Sequence, residues 1–95
     1  MELRRTRDFD RRLLALADAR ARARITIAIE RMEAGNFGDC RNVGGGVMER
    51  RIHHGPGYRV YFTLRGRQYV LLLLCGDKAT QVRDIACAIQ LAKQL

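Results

Sequence analysis

The sequence is poor in aromatic residues and proline, and it lacks long apolar segments. It has no tryptophan, one proline and 6% aromatic residues. Its longest apolar run, residues 69–75, is far shorter than the roughly 18 residues that a membrane-spanning helix requires. The first residues carry no apolar stretch of the kind that forms the core of a signal peptide. We therefore expect a cytoplasmic protein with no membrane partner.

Cysteine is also sparse, and the spacing of the thiols excludes the common cysteine motifs. Cys40, Cys75 and Cys87 are scattered, and no Cys-x-x-Cys pair occurs. This spacing predicts neither a zinc site nor a redox pair, and we expect no metal ion and no cofactor. Cys75 and Cys87 are expected to pack as small buried apolar residues.

Positive charge is what the sequence has in excess. Lys and Arg number 18 against 10 Asp and Glu, giving a formal net charge of +8. All but two of these bases are arginine, whose planar guanidinium group suits phosphate. A partner such as RNA is therefore favoured, although a small soluble domain can carry a net charge of about 8 for solubility alone.

The first half of the chain predicts one weak strand and a helical hairpin. Leu3–Arg5 is the candidate strand, and Asp8 or Thr6 can cap the helix that follows. Asp18 is the predicted N-cap of a second helix, which ends at Gly35. The two apolar stripes recur at helical spacing. They are Phe9, Leu13, Leu16 and Ala17, then Ala21, Ile25, Ala28, Ile29 and Met32.

The second half predicts a meander and a last helix. We interpret residues 36–46 as a glycine-rich loop, and residues 47–53, 58–64 and 68–75 as strands of period two. The third of these is apolar on both faces and should be covered on both. Asp77 or Thr80 can cap the last helix. Its predicted inner stripe is Val82, Ile85, Ile89 and Ala92.

The element order β-α-α-β-β-β-α indicates one α+β domain over residues 1–95. We expect the helical hairpin to pack on a mostly antiparallel four-stranded sheet. The chain is long enough for one such domain and too short for two.

Strand parity gathers polar side chains on one face of the predicted sheet. A register that pairs Ile52 with Val60 would place one set of them together: Glu49, Arg51, His53, Arg59 and Tyr61. A slip of one residue would scatter the set. Lys78 and Gln81 follow at the start of the last helix.

Such a face has the groups needed to cleave RNA by attack of the 2′-hydroxyl on its own phosphate. Arg51 and Arg59 could stabilise the added negative charge. Lys78, Tyr61 or one of the histidines, His53 and His54, could transfer protons. The alternatives are a cross-strand salt bridge between Arg51 and Glu49 and histidines that are simply solvated.

Two segments carry a resemblance to a known family. The stretches GNFGDCRNVGGGVMERRIHHGPGYRVYF and VLLLLCGDKATQVRDIACAIQLA resemble the RelE/ParE superfamily of bacterial toxins. The closer resemblance is to its HigB-like addiction module killer protein branch. Three residues depart from that pattern: Arg50 stands in place of leucine, Cys75 in place of glycine and Arg12 in place of tryptophan.

The resemblance implies a toxin that is encoded beside a helix-turn-helix antitoxin and meets operator DNA only through it. It implies cleavage of mRNA on the ribosome, without a metal ion. Arg51, Arg59 and Lys78 match the motifs and are the expected catalytic residues, with Tyr61 beside them. The expected substrate-binding residues are Glu49, His53, His54 and Gln81.

Two other functions use the same features. A toxin of the ParE type acts on DNA gyrase without nuclease chemistry, and one fold serves both activities. A non-enzymatic module could instead act only through the antitoxin, in operator binding, with its basic helix face as the contact.

Overall fold

The protein is built on a mixed five-stranded sheet with helices on both faces. The structure, a computed structural model, describes residues 1–95. In chain order the elements are β1 (Glu2–Arg5), α1 (Arg7–Ala15), α2 (Ala19–Glu33), β2 (Cys40–Gly44), β3 (Val47–Ile52), β4 (Tyr58–Arg65), β5 (Tyr69–Asp77), a short 3-10 helix (Lys78–Thr80) and α3 (Gln81–Gln94).

The sheet has the strand order β1-β5-β4-β3-β2. β1 runs parallel to β5, and all other neighbours are antiparallel. The predicted α+β class and helical hairpin are confirmed, but the four-stranded sheet was wrong. The missed strand is β2, in the segment interpreted as a loop. It is a short edge strand with mostly exposed residues, so it lacks the apolar alternation that marks a half-buried strand.

Side-chain caps determine where the two hairpin helices begin. The Thr6 hydroxyl accepts a hydrogen bond from the Phe9 amide at 2.9 Å. Asp18 Oδ1 accepts from the amides of Arg20 and Ala21 at 2.9 and 3.3 Å. Gly35, at φ +92°, follows the end of α2 in the left-handed region that glycine adopts without strain. The predicted caps by Thr6 and Asp18 are confirmed.

One face of the sheet packs against the hairpin and forms the larger core. Phe9 and Ile25 from the helices meet Val60, Phe62 and Leu72 from the sheet, all of them buried. Apolar residues from both layers enter this core because each helix has an apolar stripe and each strand alternates its side chains.

The other face packs against α3 and forms a smaller core. Leu73 and Leu74 are both buried there, because a bulge opposite Tyr61 and Phe62 interrupts the alternation of β5. Ile85, Ile89 and Ala92 pack on this core as predicted. Val82 does not, and the prediction for it was wrong. Val82 is 85% exposed, because the first turn of α3 directs Gln81 and Asp84 toward the sheet and Val82 away from it.

The three thiols are free and differ in burial. Cys75 is buried as predicted, and burial raises its pKa to about 12, so the thiol stays protonated. Cys87 is exposed on α3, against the prediction. None of the helices combines the length and apolar character needed to cross a lipid bilayer.

Candidate active site

The pairing of β3 with β4 brings the predicted polar set to one face. Ile52 pairs with Tyr58, two residues away from the predicted partner Val60. A shift of two residues preserves the face of every side chain, because the period of a strand is two. Arg51 therefore lies opposite Arg59, and Glu49 lies opposite Tyr61. These four side chains share the face that α3 covers in part.

Glu49 is the buried centre of this set. Its Oε1 accepts a hydrogen bond from Arg41 Nε at 2.9 Å, and its Oε2 accepts from Gln81 Nε2 at 3.0 Å. Arg59 Nε lies 3.5 Å from Oε2, at ion-pair distance. Burial would raise the pKa of Glu49, but the hydrogen bonds from Arg41 and Gln81 outweigh it and lower the pKa. The carboxylate thus links β2, β4 and α3.

Tyr61 lies beside Glu49 and is fully buried. Its hydroxyl has no hydrogen-bond partner. Burial first, and then the neighbouring charge of Glu49, raise the pKa of Tyr61 well above the ordinary tyrosine value of 10.0. The phenol is therefore neutral, and it faces protein atoms instead of solvent.

Arg51 and His53 are joined through one carboxylate. Asp39, just before β2, places Oδ1 2.8 Å from Arg51 Nη2 and Oδ2 2.8 Å from His53 Nε2. The hydrogen bonds from Arg51 and then His53 lower the pKa of Asp39. The Arg51 side chain is 39% exposed and that of His53 is 79% exposed, so both can reach a ligand.

The backbone of Lys78 is hydrogen-bonded to the turn that leads into β4, the strand that carries Arg59. The Gly57 carbonyl oxygen accepts from the Lys78 amide at 2.9 Å and from Arg59 Nη1 at 3.3 Å. Asp77 accepts from the Ala79 amide at 2.9 Å and caps the 3-10 helix. The Lys78 side chain is exposed, and it forms no ion pair.

His54 belongs to a different neighbourhood. Its Nε2 lies 3.2 Å from Asp18 Oδ2, at the start of α2, and its ring stacks on Tyr58. The structure does not join it to the Arg51, Arg59 and Glu49 set.

A second buried carboxylate anchors the start of α3. Asp84 is fully buried, and its Oδ2 accepts a hydrogen bond from the Thr80 hydroxyl at 2.6 Å. Its Oδ1 lies 3.1 Å from Arg12 Nη1 of α1. A Cβ at Gly76 would overlap Asp84 Oδ2, so only glycine leaves room for this carboxylate. The anchor places Gln81 where it reaches Glu49.

Sequence reasoning missed three residues of this network: Asp39, Arg41 and Asp84. Asp39 and Asp84 stand inside the quoted motifs but were given no role. Arg41 is the cross-strand partner of Glu49, and this pairing was hidden while β2 was interpreted as a loop. The residues of β2 show no alternation of apolar and polar side chains, so the sequence offered no periodic signal for this strand.

The site combines arginine side chains, the His53 imidazole that Asp39 orients, and the buried Glu49 carboxylate. Arg51 and Arg59 could both donate to the oxygens of a phosphate group. The residues hold no group of three or more His, Cys, Asp or Glu side chains placed to share a metal ion.

Two comparisons with known proteins cover these elements. A model of the family described as "Phage derived protein Gp49-like (DUF891)" matches residues 12–95. A protein of Haemophilus influenzae described as "Uncharacterized protein" is 43% identical over 95 residues, which is 100% of this chain and 96% of that protein. Both matches include Asp39, Glu49, Arg51, Arg59 and Lys78 within the aligned range.

Proposed function

The chain belongs to the Gp49-like family of phage-derived proteins, and from this premise we propose that it is a toxin of a type II toxin–antitoxin system. Its target is mRNA on the ribosome, and its activity is that of a metal-independent endoribonuclease. The resemblance to HigB-like members of the RelE/ParE superfamily supports the same proposal. Its partner is a helix-turn-helix antitoxin, and it acts in the cytoplasm.

One observation carries the proposal: Arg51 and Arg59 lie directly opposite each other on one face of the sheet. Lys78 is exposed, and its backbone amide donates to the same Gly57 carbonyl oxygen that accepts from Arg59 Nη1. Two arginines on neighbouring strands, with a lysine at the start of the following 3-10 helix, suit the developing charge of a phosphate under attack better than mobile surface arginines do.

In the proposed reaction the ribose 2′-oxygen bonds to phosphorus while the bond from phosphorus to the 5′-oxygen breaks. His53, oriented by Asp39, accepts the proton of the 2′-hydroxyl. Lys78 donates a proton to the departing 5′-oxygen, and Arg51 and Arg59 stabilise the added charge. The products are a 2′,3′-cyclic phosphate and a 5′-hydroxyl.

The remaining site residues hold this arrangement in place. Glu49 orients Arg59 from below the surface and is itself held by Gln81. Tyr61 fills the space beside Glu49, so its role is packing and support in this proposal. The ribosome would supply the positioning of mRNA, which is why a small set of residues suffices.

The test is induction of the chain in bacterial cells, followed by mapping of RNA 5′ ends. Arg51→Ala and Lys78→Ala should each lower cleavage at least about a hundredfold, since each removes one group that stabilises the reaction. Arg67→Ala, an exposed arginine in the turn before β5, is the control with the same loss of charge. It should cleave as the wild type does.

Other outcomes would assign a different function. Growth arrest with intact transcripts and inhibited supercoiling by purified gyrase would place the chain with toxins of the ParE type. Absence of any growth effect from the free chain would favour a module that acts only with its antitoxin. Equal activity of Arg51→Ala and wild type would remove the proposed site.

A further inference from the structure

A positively charged groove runs between α2 and β3, beside the candidate active site. It encloses about 660 Å³. Arg20, Arg24 and Arg31 line it from one side of α2, at positions that recur on one helix face. Arg50 and Arg51 line it from the facing strand, and no carboxylate lines it. The groove therefore concentrates charge of one sign in a concave surface.

Four of these guanidinium groups have no acidic partner. Arg20, Arg24, Arg31 and Arg50 take part in no ion pair. Arg50 is nevertheless held in place, because its Nη1 donates to the Arg51 carbonyl oxygen at 2.6 Å. Its guanidinium group also lies against Gly38, where a Cβ would come within 2.5 Å of Cζ. These cations are available to an anionic ligand.

The floor of the groove is apolar. Ile27 is 46% exposed and stands between Arg24 and Arg31 along the groove, and Ile52 continues the apolar lining on β3. Grooves that bind single-stranded RNA usually combine positive charge with aromatic side chains on which bases stack. No Phe or Tyr lines this groove, and the one ring that does, the His53 imidazole at its edge, is already bound to Asp39. Aliphatic side chains of a peptide would cover such a floor better than bases would.

We propose that this groove binds an acidic segment of a partner protein that also carries aliphatic residues. Its carboxylates would pair with the arginines, and an aliphatic side chain would cover Ile27. Arg20 and Arg31 are separated by about 16 Å along the helix axis, which an extended segment of about five residues spans. Because Arg51 lines both the groove and the candidate active site, the bound segment would also compete with an anionic substrate.

The test measures binding of fluorescein-labelled peptides to the full chain by anisotropy. The probe is a glutamate peptide interrupted by two leucines. The comparison probes are its glutamine counterpart, an uninterrupted oligo-glutamate and an oligouridylate of equal length. The probe should bind most tightly, because only it supplies both carboxylates and aliphatic side chains.

Substitutions inside and outside the groove test where on the protein the probe binds. Arg24→Ala/Arg31→Ala should weaken probe binding by about tenfold or more, because two charge-assisted contacts are lost. Arg11→Ala/Arg67→Ala removes the same charge outside the groove and should weaken it by less than about threefold at physiological salt. Ile27→Ala should weaken binding of the leucine-containing probe by about threefold or more and leave binding of oligo-glutamate unchanged. All five side chains are exposed, so the fold should persist.

Several results would overturn the inference: no binding of the probe, equal losses in the two double variants, or tighter binding of oligouridylate through the same arginines. The last would make the groove an RNA surface. None of these depends on whether the chain cleaves mRNA, so the inference and the proposed function can fail separately.

Discussion

The two faces of the sheet bury side chains of different kinds. The face under the helical hairpin encloses the larger apolar cluster, which includes Phe9, Ile25 and Phe62, and no buried carboxylate lies in it. The face under α3 has a smaller apolar cluster and, beside it, two fully buried carboxylates, Glu49 and Asp84. Buried charge lowers stability unless it is paired, so its presence on one face alone indicates a task other than packing.

This difference indicates a division of roles between the two faces: one stabilises the fold, and the other orients polar side chains. The hairpin face supplies most of the hydrophobic stabilisation, which scales with the apolar area buried. The α3 face uses part of its interior to orient Arg41, Arg59 and Gln81 around Glu49. Four substitutions test this division, and they are given from the largest expected effect to the smallest.

Truncation on the hairpin face should have the largest effect. Phe9→Ala removes a fully buried ring and should lower the free energy of unfolding by about 3–5 kcal/mol. Leu14→Ala, on the same helix but 79% exposed, should change it by less than about 0.5 kcal/mol. Urea denaturation measures both. Similar values for the two variants would mean that the hairpin contributes little to the core.

On the α3 face, Glu49→Gln keeps the shape and removes the charge. Arg41 and Arg59 would lose their anionic partner, and we expect a loss of about 2 kcal/mol, because Arg41 remains half exposed. Because the folded-state pKa of Glu49 is lowered, its contribution is complete above the ordinary value of 4.5 and is lost as the pH falls through the lowered pKa.

The melting temperature against pH measures this contribution. The wild type should exceed Glu49→Gln at neutral pH, and the gap should close as the solution is acidified below the ordinary value of 4.5 and through the lowered pKa. Asp39 and Asp18 titrate in both proteins, so the difference between the curves isolates Glu49. A gap that does not change with pH would show that the carboxylate does not stabilise through its charge.

Gly76→Ala tests the second buried carboxylate. The added methyl group would overlap Asp84 Oδ2 and push α3 away, with a loss of about 1–3 kcal/mol. In Gly76→Ala/Asp84→Ala the overlap is gone, so the double variant should lose less than the sum of the single variants. Additive losses in chemical denaturation would place the strain elsewhere.

Tyr61→Phe should have the smallest effect. The hydroxyl is buried beside the Glu49 carboxylate, so its removal should change the free energy of unfolding by less than about 1 kcal/mol. Growth arrest should also be unchanged if Tyr61 only supports Glu49. A large loss of RNA cleavage in a stable variant would instead make the phenol part of the chemistry.

The hairpin shows which features sequence reasoning captures well. The caps by Thr6 and Asp18 and the apolar stripe that includes Ile25 depend on residues a few positions apart, and all were predicted. Val82 fits the stripe of α3 equally well by spacing, yet it is exposed. Spacing fits more than one face of a helix, and only the packed sheet shows that the inner face of the first turn is the one with Gln81 and Asp84.

The amino-acid sequence by itself determined where the two hairpin helices begin and which side chains of β3 and β4 share a face, because capping and strand periodicity act over neighbouring residues. The tertiary structure decided the order of the five strands and the ion pair of Arg12 with Asp84. It also decided that Arg41, Arg59 and Gln81 all contact the Glu49 carboxylate. Those contacts join residues far apart in the chain, and a buried carboxylate accepts whichever donors the packed elements bring within reach.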